Sequence, residues 1–93
     1  MTTPPDHEAR LDFDYFSREY AQAQQALTAI EGNAPTLIAL GSTADLRQFV
    51  ATFIEMADRT QRLAETQNEE NFAGWFGELI ERARAIAAAA DGV

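Results

Sequence analysis

Apolar residues recur at alternating intervals of three and four along this chain, and this spacing constrains its fold more than any other feature. Side chains at that spacing stack along one face of an α-helix, because a helix turns once in roughly 3.6 residues. Similar series begin again, in a different phase, at Leu46 and at Phe72. The sequence therefore predicts amphipathic helices that need packing partners. The first series consists of Phe13, Phe16, Tyr20, Ala23, Leu27 and Ile30.

We predict an all-α fold, a small up-and-down bundle of three long helices at residues 12–31, 43–65 and 68–90. Residues 11–93 are expected to form a single helical domain. Residues 1–10 contain two prolines and no apolar periodicity, so we expect a disordered tail there. A chain of 93 residues buries only a modest core, which makes self-association an expectation.

The predicted helix starts rest on polar capping residues. Asp12 is placed at the start of the first helix, with Asp6 as an alternative start. Ser42 or Thr43 is expected to cap the second helix with its side chain. These residue types supply an oxygen that can accept a hydrogen bond from a free backbone amide.

The first helix is predicted to stop within residues 31–35, where Gly32 suits a left-handed cap and Pro35 interrupts backbone hydrogen bonding. The apolar run that follows predicts a short helix near residues 35–40, ended by Gly41. An extended segment is the alternative, because so short a run has no usable periodicity.

The apolar phase breaks between the second and third helices. Continuing the second series places Gln67 and Glu70 on its apolar face, whereas apolar residues resume only at Phe72. Thr66 and Glu69 have the spacing of a capping box, in which each side chain bonds the other's backbone amide. We predict a real break here, with one bent continuous helix as the alternative.

Composition excludes several kinds of site. The chain has a formal charge of −8, seven basic residues, no cysteine and a single histidine, His7. Negative charge repels phosphate backbones and anionic lipids, so we expect no direct binding to nucleic acid or membranes. One histidine without cysteine cannot build a structural zinc site, so no metal and no cofactor are expected. No secretion signal or apolar run of about 20 residues is present, which predicts a cytoplasmic protein.

No pattern points to catalysis. Glu55 with Asp58, and Glu78 with Glu81, place two acids on one helix face, but neighbouring arginines favour exposed ion pairs over a desolvated acid and base. No glycine-rich phosphate loop is present. We expect no enzymatic activity and no catalytic residues.

Two glycines inside the third predicted helix, Gly74 and Gly77, predict close packing there, because glycine weakens a helix. Trp75-Phe76-Gly77 resembles the Trp-x-Gly signature of a family of small secreted helical-hairpin proteins. In that family the motif forms the turn between two long helices. Here it lies inside a predicted helix near the C-terminal end, so no function is carried over.

Aromatic residues form a predicted cluster where the last two helices meet, and it has two interpretations. It is either an intramolecular core or an anchor for a subunit interface, where tryptophan is enriched. We predict a non-enzymatic protein-interaction module, a regulatory or adaptor subunit that forms a homodimer through the last two helices. The predicted interface comprises Phe49, Phe53, Phe72, Trp75, Phe76 and Leu79.

Two other functions remain open. A secretion-type helical chaperone would shield an amphipathic segment of its client and would have an open groove. A small acidic inhibitor that mimics nucleic acid would need its carboxylates in one continuous track. Those carboxylates belong to Asp12, Asp14, Glu19, Glu31, Glu69, Glu70, Glu78 and Glu81.

Overall fold

A computed structural model describes residues 13–92, and these form three α-helices joined by short turns. Helix α1 spans Phe13–Ala39, α2 spans Thr43–Thr66 and α3 spans Glu70–Asp91. No strand occurs in this part of the chain. The predicted all-α fold is confirmed, whereas the tail at residues 1–10 and the predicted helix starts at Asp12 or Asp6 lie outside the described residues.

Contacts between helix ends establish the up-and-down topology. The rings of Phe13 and Phe72, at the starts of α1 and α3, lie 5.2 Å apart. Arg47, in the first turns of α2, forms an ion pair with Asp91 at the end of α3. Helices α1 and α3 therefore run in the same direction, with α2 antiparallel to both. No described helix combines the length and apolarity needed to cross a membrane.

The core runs along the axis of the bundle, and within residues 13–92 every buried side chain is apolar. Helices α2 and α3 share the most extensive contact, while α1 packs less closely against both. Apolar burial of this kind contributes about 25 cal/mol per Å² and drives the packing. The buried residues are Phe16, Leu27, Ala34, Leu46, Val50, Phe53, Ala57, Ala64, Phe72, Ala73, Phe76, Leu79, Ile80, Ala83 and Ala90.

The predicted end of the first helix at residue 31 is wrong, because α1 continues through Pro35. Leu27, Ala34 and Ile38 keep helical spacing across this segment, and all three pack into the core. The fixed φ of proline is compatible with a helix, and its missing N–H removes only the bond to the carbonyl of Glu31. Burial of the continuing apolar face therefore outweighs the local stop signals.

Helix α1 ends at Ala39, and Gly41 in the turn that follows adopts φ 76°. The amide of Ser42 donates to the carbonyl of Leu37 at 2.8 Å, and the amide of Gly41 donates to Ile38 at 3.1 Å. This pair of bonds is a Schellman motif, which needs a left-handed residue and so favours glycine. Residues 35–39 are thus helical, but they are the last residues of α1 and not a separate short helix.

The predicted break between the second and third helices is confirmed. Asn68 adopts φ 63° and takes the left-handed position that glycine holds in the first turn. The amide of Glu69 donates to Ala64 at 2.8 Å, and that of Asn68 donates to Glu65 at 3.2 Å. Asparagine tolerates this conformation better than most residues, so it ends α2 without a glycine or proline.

The side-chain caps predicted at Ser42 and Thr66 do not form. Thr66 Oγ1 donates to the carbonyl of Arg62 at 2.8 Å, so it is turned into its own helix and makes no capping box with Glu69. Ser42 stands at the N-terminal cap position of α2 without a side-chain cap bond. Its carbonyl accepts the first helical bond from Leu46 at 3.1 Å.

The two glycines of α3 differ in their surroundings. A Cβ at Gly77 would lie 2.9 Å from Nε2 of Gln61, whereas a Cβ at Gly74 would meet nothing within 4 Å. Gln61 uses the space at Gly77 to donate a hydrogen bond to the carbonyl of Ala73 at 2.9 Å. The prediction of close packing is therefore confirmed for Gly77 and wrong for Gly74. The Trp-x-Gly tripeptide lies inside α3, not in a turn.

Candidate interaction groove

An apolar cavity of about 630 Å³ lies between α1 and α2, and we call it the α1–α2 groove. Phe53, Ala57 and Phe76 line it and are almost fully buried, so they form its floor. The floor is part of the core, and the walls rise from it towards solvent. The groove therefore exposes apolar surface that is continuous with the interior.

The α1 side of the groove consists mainly of small side chains. Ala23, Ala26 and Ala29 recur every three residues along this side and form what we call the alanine wall. Ala23 is half-buried, and Ala26 and Ala29 are exposed. Small residues at helical spacing let another helix approach the backbone of α1 closely.

The α2 side is lined by larger side chains. Phe49 and Met56 lie two turns apart, with Thr52 between them, and together they form what we call the bulky wall. Phe49 is 52% exposed and Met56 is 58% exposed. Single exposed apolar residues are common on proteins, but these two border one concave apolar surface.

A second cavity of about 320 Å³ extends the groove towards the α1–α2 turn. Ala29, Ile30 and Phe49 line both cavities, so the two adjoin along the bundle. Along α1 the combined surface reaches from Glu19 to Leu37. At a rise of about 1.5 Å per residue, this distance is about 27 Å.

Charge is nearly absent from the groove. Glu19 is the only charged residue among the described residues that line the two cavities. Between residues 20 and 40 the sequence contains one charged residue, Glu31, and it points away from the groove to pair with Arg82 of α3 at 2.8 Å. The acidic character of the chain is thus carried by other surfaces.

The six predicted interface residues do not form one surface. Phe53, Phe72, Phe76 and Leu79 are buried inside the bundle. Their aromatic contacts involve α1, since Phe76 packs against Tyr20 with ring centroids 5.6 Å apart. In this structure these four residues therefore belong to the intramolecular core.

Phe49 and Trp75 are the exposed members of the predicted interface, and they lie on different faces. Phe49 borders the α1–α2 groove. Trp75 is 40% exposed and contacts Tyr20 and Phe72, with ring centroids 5.6 and 5.1 Å away. Trp75 therefore belongs to the contact between α1 and α3.

Sequence reasoning missed Met56 and the alanine wall as parts of a surface. Met56 keeps the helical spacing of the apolar series that begins at Leu46, and exposure cannot be read from spacing. A signal for the alanine wall was present, because residues 20–40 combine alanine and glutamine with one charge. A solvent-facing helix surface usually carries more charged residues.

Three of the four acids considered for catalysis lie in exposed ion pairs. The N–O distances range from 2.6 to 3.6 Å, and all the side chains are more than two-fifths exposed. Among the described residues, no group of three or more His, Cys, Asp or Glu side chains could hold a metal ion. The ion pairs are Glu55 with Arg59, Asp58 with Arg62, and Glu81 with Arg84.

Comparison of the chain with protein-family models, with curated proteins and with solved structures finds no match in any of the three.

Proposed function

We propose that this chain is a non-enzymatic protein-interaction module, a regulatory or adaptor subunit, whose α1–α2 groove receives the apolar face of a helix. The observation that carries the proposal is the groove itself, where Phe49 and Met56 stand exposed above a buried apolar floor. Covering such a surface is favourable because it removes apolar area from water.

The shape of the groove suits a helix. Its two sides are antiparallel helices, and apolar helix faces laid on them would extend the bundle. A length of about 27 Å accommodates about 18 helical residues. The occupant would present apolar residues at intervals of three and four, as helices bound in grooves do.

The residue types of the bulky wall also suit an interface. Charged residues are depleted at interface centres, while phenylalanine and methionine are enriched there. The flexible side chain of Met56 can adjust to the shape of an occupant. The alanine wall permits a small distance between helix axes, which increases packing contact.

Site-specific photo-crosslinking in the cells that express the chain tests this proposal. A photoreactive phenylalanine analogue at position 56 faces the groove, and the same analogue at position 51 is the control, since Ala51 is exposed and does not line the groove. We expect protein adducts from position 56 that are absent from position 51. Equal adducts from both positions, or none from position 56, would contradict the proposal.

A secretion-type chaperone is the second candidate function. The open groove favours it, because such a chaperone shields an amphipathic segment of its client until release. Identification of the adducts from position 56 separates the two functions, since a chaperone would crosslink to an exported client.

The acidic-inhibitor hypothesis receives less support. Glu31 and Glu81 are ion-paired with Arg82 and Arg84, at 2.8 and 2.6 Å. These arginines partly neutralise the acidic track that mimicry of nucleic acid requires.

A further inference from the structure

We infer that the occupant of the α1–α2 groove is a second copy of this chain, so that two copies close their grooves against each other. This inference rests on the proposed function, because it names the partner of that same groove.

Charge distribution makes this face suitable for self-association. Each copy carries a formal charge of −8, so most pairs of faces repel each other. The groove contains Glu19 at one end and no other charged side chain among its described lining residues. Two copies therefore meet here with the least electrostatic cost. An oppositely charged partner would be attracted to the acidic faces instead.

The two walls of the groove are complementary in size. Ala29 and Phe49 line both cavities and so lie at the same level along the bundle. Because α1 and α2 are antiparallel, Ala26 lies near the level of Thr52, and Ala23 near that of Met56. Each small residue of the alanine wall thus has a larger residue of the bulky wall at its own level.

A two-fold axis parallel to the helices brings these walls together. Rotation about that axis places α2 of one copy opposite α1 of the other at the same level. Phe49 then packs on the partner's Ala29, and Met56 packs on the partner's Ala23. The contact is isologous, as in most homodimers, because each copy contributes both walls. Interdigitation of large and small side chains fills the space between the copies.

The size of the surface fits a small dimer interface. The groove and its extension are about 27 Å long and two helices, or about 20 Å, wide, which gives a projected area of roughly 500 Å². Accessible area on a corrugated surface exceeds its projection, and stable interfaces bury about 800 Å² per partner. We therefore expect a dimer in reversible equilibrium with the monomer.

Residues 1–12 are a less suitable occupant. They contain two prolines and four charged residues against a single leucine, so they lack an apolar series of helical spacing. A second copy, by contrast, supplies a groove of matching length and neutrality.

Light scattering on the full chain measures the mass of the particle and tests the inference. The wild-type chain should have twice the monomer mass of 10.3 kDa at about 100 µM, and dilution should lower that mass. Ala26→Arg places an unpaired charge in the interface and should raise the dissociation constant about 100-fold or more. Ala51→Arg is the matched control and should leave the dimer intact.

Circular dichroism shows whether each variant keeps its helices. Ala26 is exposed in the single copy, so Ala26→Arg should remain folded. Phe49→Gln is the second variant and should also give folded monomers, because it removes the exposed ring of the bulky wall. A monomeric wild-type chain, or an undiminished dimer with both groove variants, would overturn the inference.

Mixing two variants tests the pairing of the walls. Ala26→Arg and Thr52→Glu should each be monomeric alone, whereas an equimolar mixture should form a dimer, because Arg at position 26 meets Glu at position 52 of the other copy. A mixture that stays monomeric would contradict this pairing.

Raised salt should strengthen the wild-type dimer by screening repulsion between the two acidic copies. Weakening of the dimer by salt would contradict a neutral interface.

The crosslinking experiment distinguishes a failure of self-association from a failure of the proposed function. An adduct from position 56 to another copy supports both the groove's function and its occupant. An adduct to a different protein, with a monomeric chain in light scattering, overturns self-association and leaves the interaction module standing. No adduct from position 56 overturns both.

Discussion

Helices α1 and α3 are both long and amphipathic, yet they are packed to very different degrees. Helix α3 buries seven of its 22 residues, whereas α1 buries three of its 27, namely Phe16, Leu27 and Ala34. The groove lies beside α1 on both sides of Leu27, where α1 presents the alanine wall. A similar apolar spacing therefore gives a filled seam where the side chains are large and an open surface where they are small.

This difference implies that the helices contribute unequally to the stability of the bundle. Helix α3 shares its most extensive contact with α2, while α1 packs less closely against both and contributes mainly half-buried side chains to the core. Regions with few buried contacts open at lower free energy than the rest of a protein. We expect α1 to be the first helix to separate, and occupancy of the groove to hold it in place.

The largest expected effect comes from truncating the residue where the three helices meet. Phe76 is 1% exposed, and Phe76→Ala should lower the free energy of unfolding by about 3–5 kcal/mol. Its neighbour Trp75 is 40% exposed, and Trp75→Ala should cost about 1 kcal/mol. Urea denaturation followed by circular dichroism measures both. Equal losses would show that the seam does not dominate stability.

Removing the proline from α1 should strengthen the weaker helix. Pro35→Ala restores an amide that can donate to the carbonyl of Glu31, and should raise the free energy of unfolding by about 1–3 kcal/mol. Pro35→Gly is the control and should gain about 1 kcal/mol less, because glycine has lower helix propensity. Thermal unfolding followed by circular dichroism measures the change. No gain from either variant would contradict a continuous α1.

The smallest expected effect distinguishes the two glycines within α3. Gly74→Ala enters open space and should stabilise the chain by about 0.5–1 kcal/mol through helix propensity. Gly77→Ala should gain less or nothing, because its methyl group displaces the amide of Gln61 from the carbonyl of Ala73. With Gln61→Ala in the background, the two glycine substitutions should become similar in urea denaturation. A persistent difference would require another cause.

Sequence patterns located α2 and α3 almost completely. The predicted ranges 43–65 and 68–90 differ from the observed helices by two residues at most. The break between them was predictable because the second apolar series would place Glu70 on its apolar face, whereas apolar residues resume only at Phe72. The residue that forms the turn, Asn68, was not identified, since its left-handed conformation depends on the chain around it.

Local signals failed in α1 for a physical reason. Gly32 and Pro35 predict a helix end when considered alone, but they cost at most a few kcal/mol. Ala34 and Ile38 pack on the core only if the helix continues, and that burial outweighs the local cost. Whether a stop signal acts thus depends on contacts with α3 that are distant in sequence.

The candidate site was predictable only in part. Phe49 was identified as an interface residue, and it borders the groove. The pattern could not separate it from Phe53 and Phe76, because all three are aromatic residues of apolar series. Phe49 is exposed whereas Phe53 and Phe76 are buried, because α1 carries small residues opposite Phe49.

The sequence by itself determined that the chain forms three amphipathic helices and that its charge lies mostly outside residues 20–40, because periodicity and composition are local properties. Tertiary structure decided which apolar residues are buried, where α1 ends and where a groove remains. These outcomes depend on how side-chain volumes from separate helices fill one space, and no single helix contains that information.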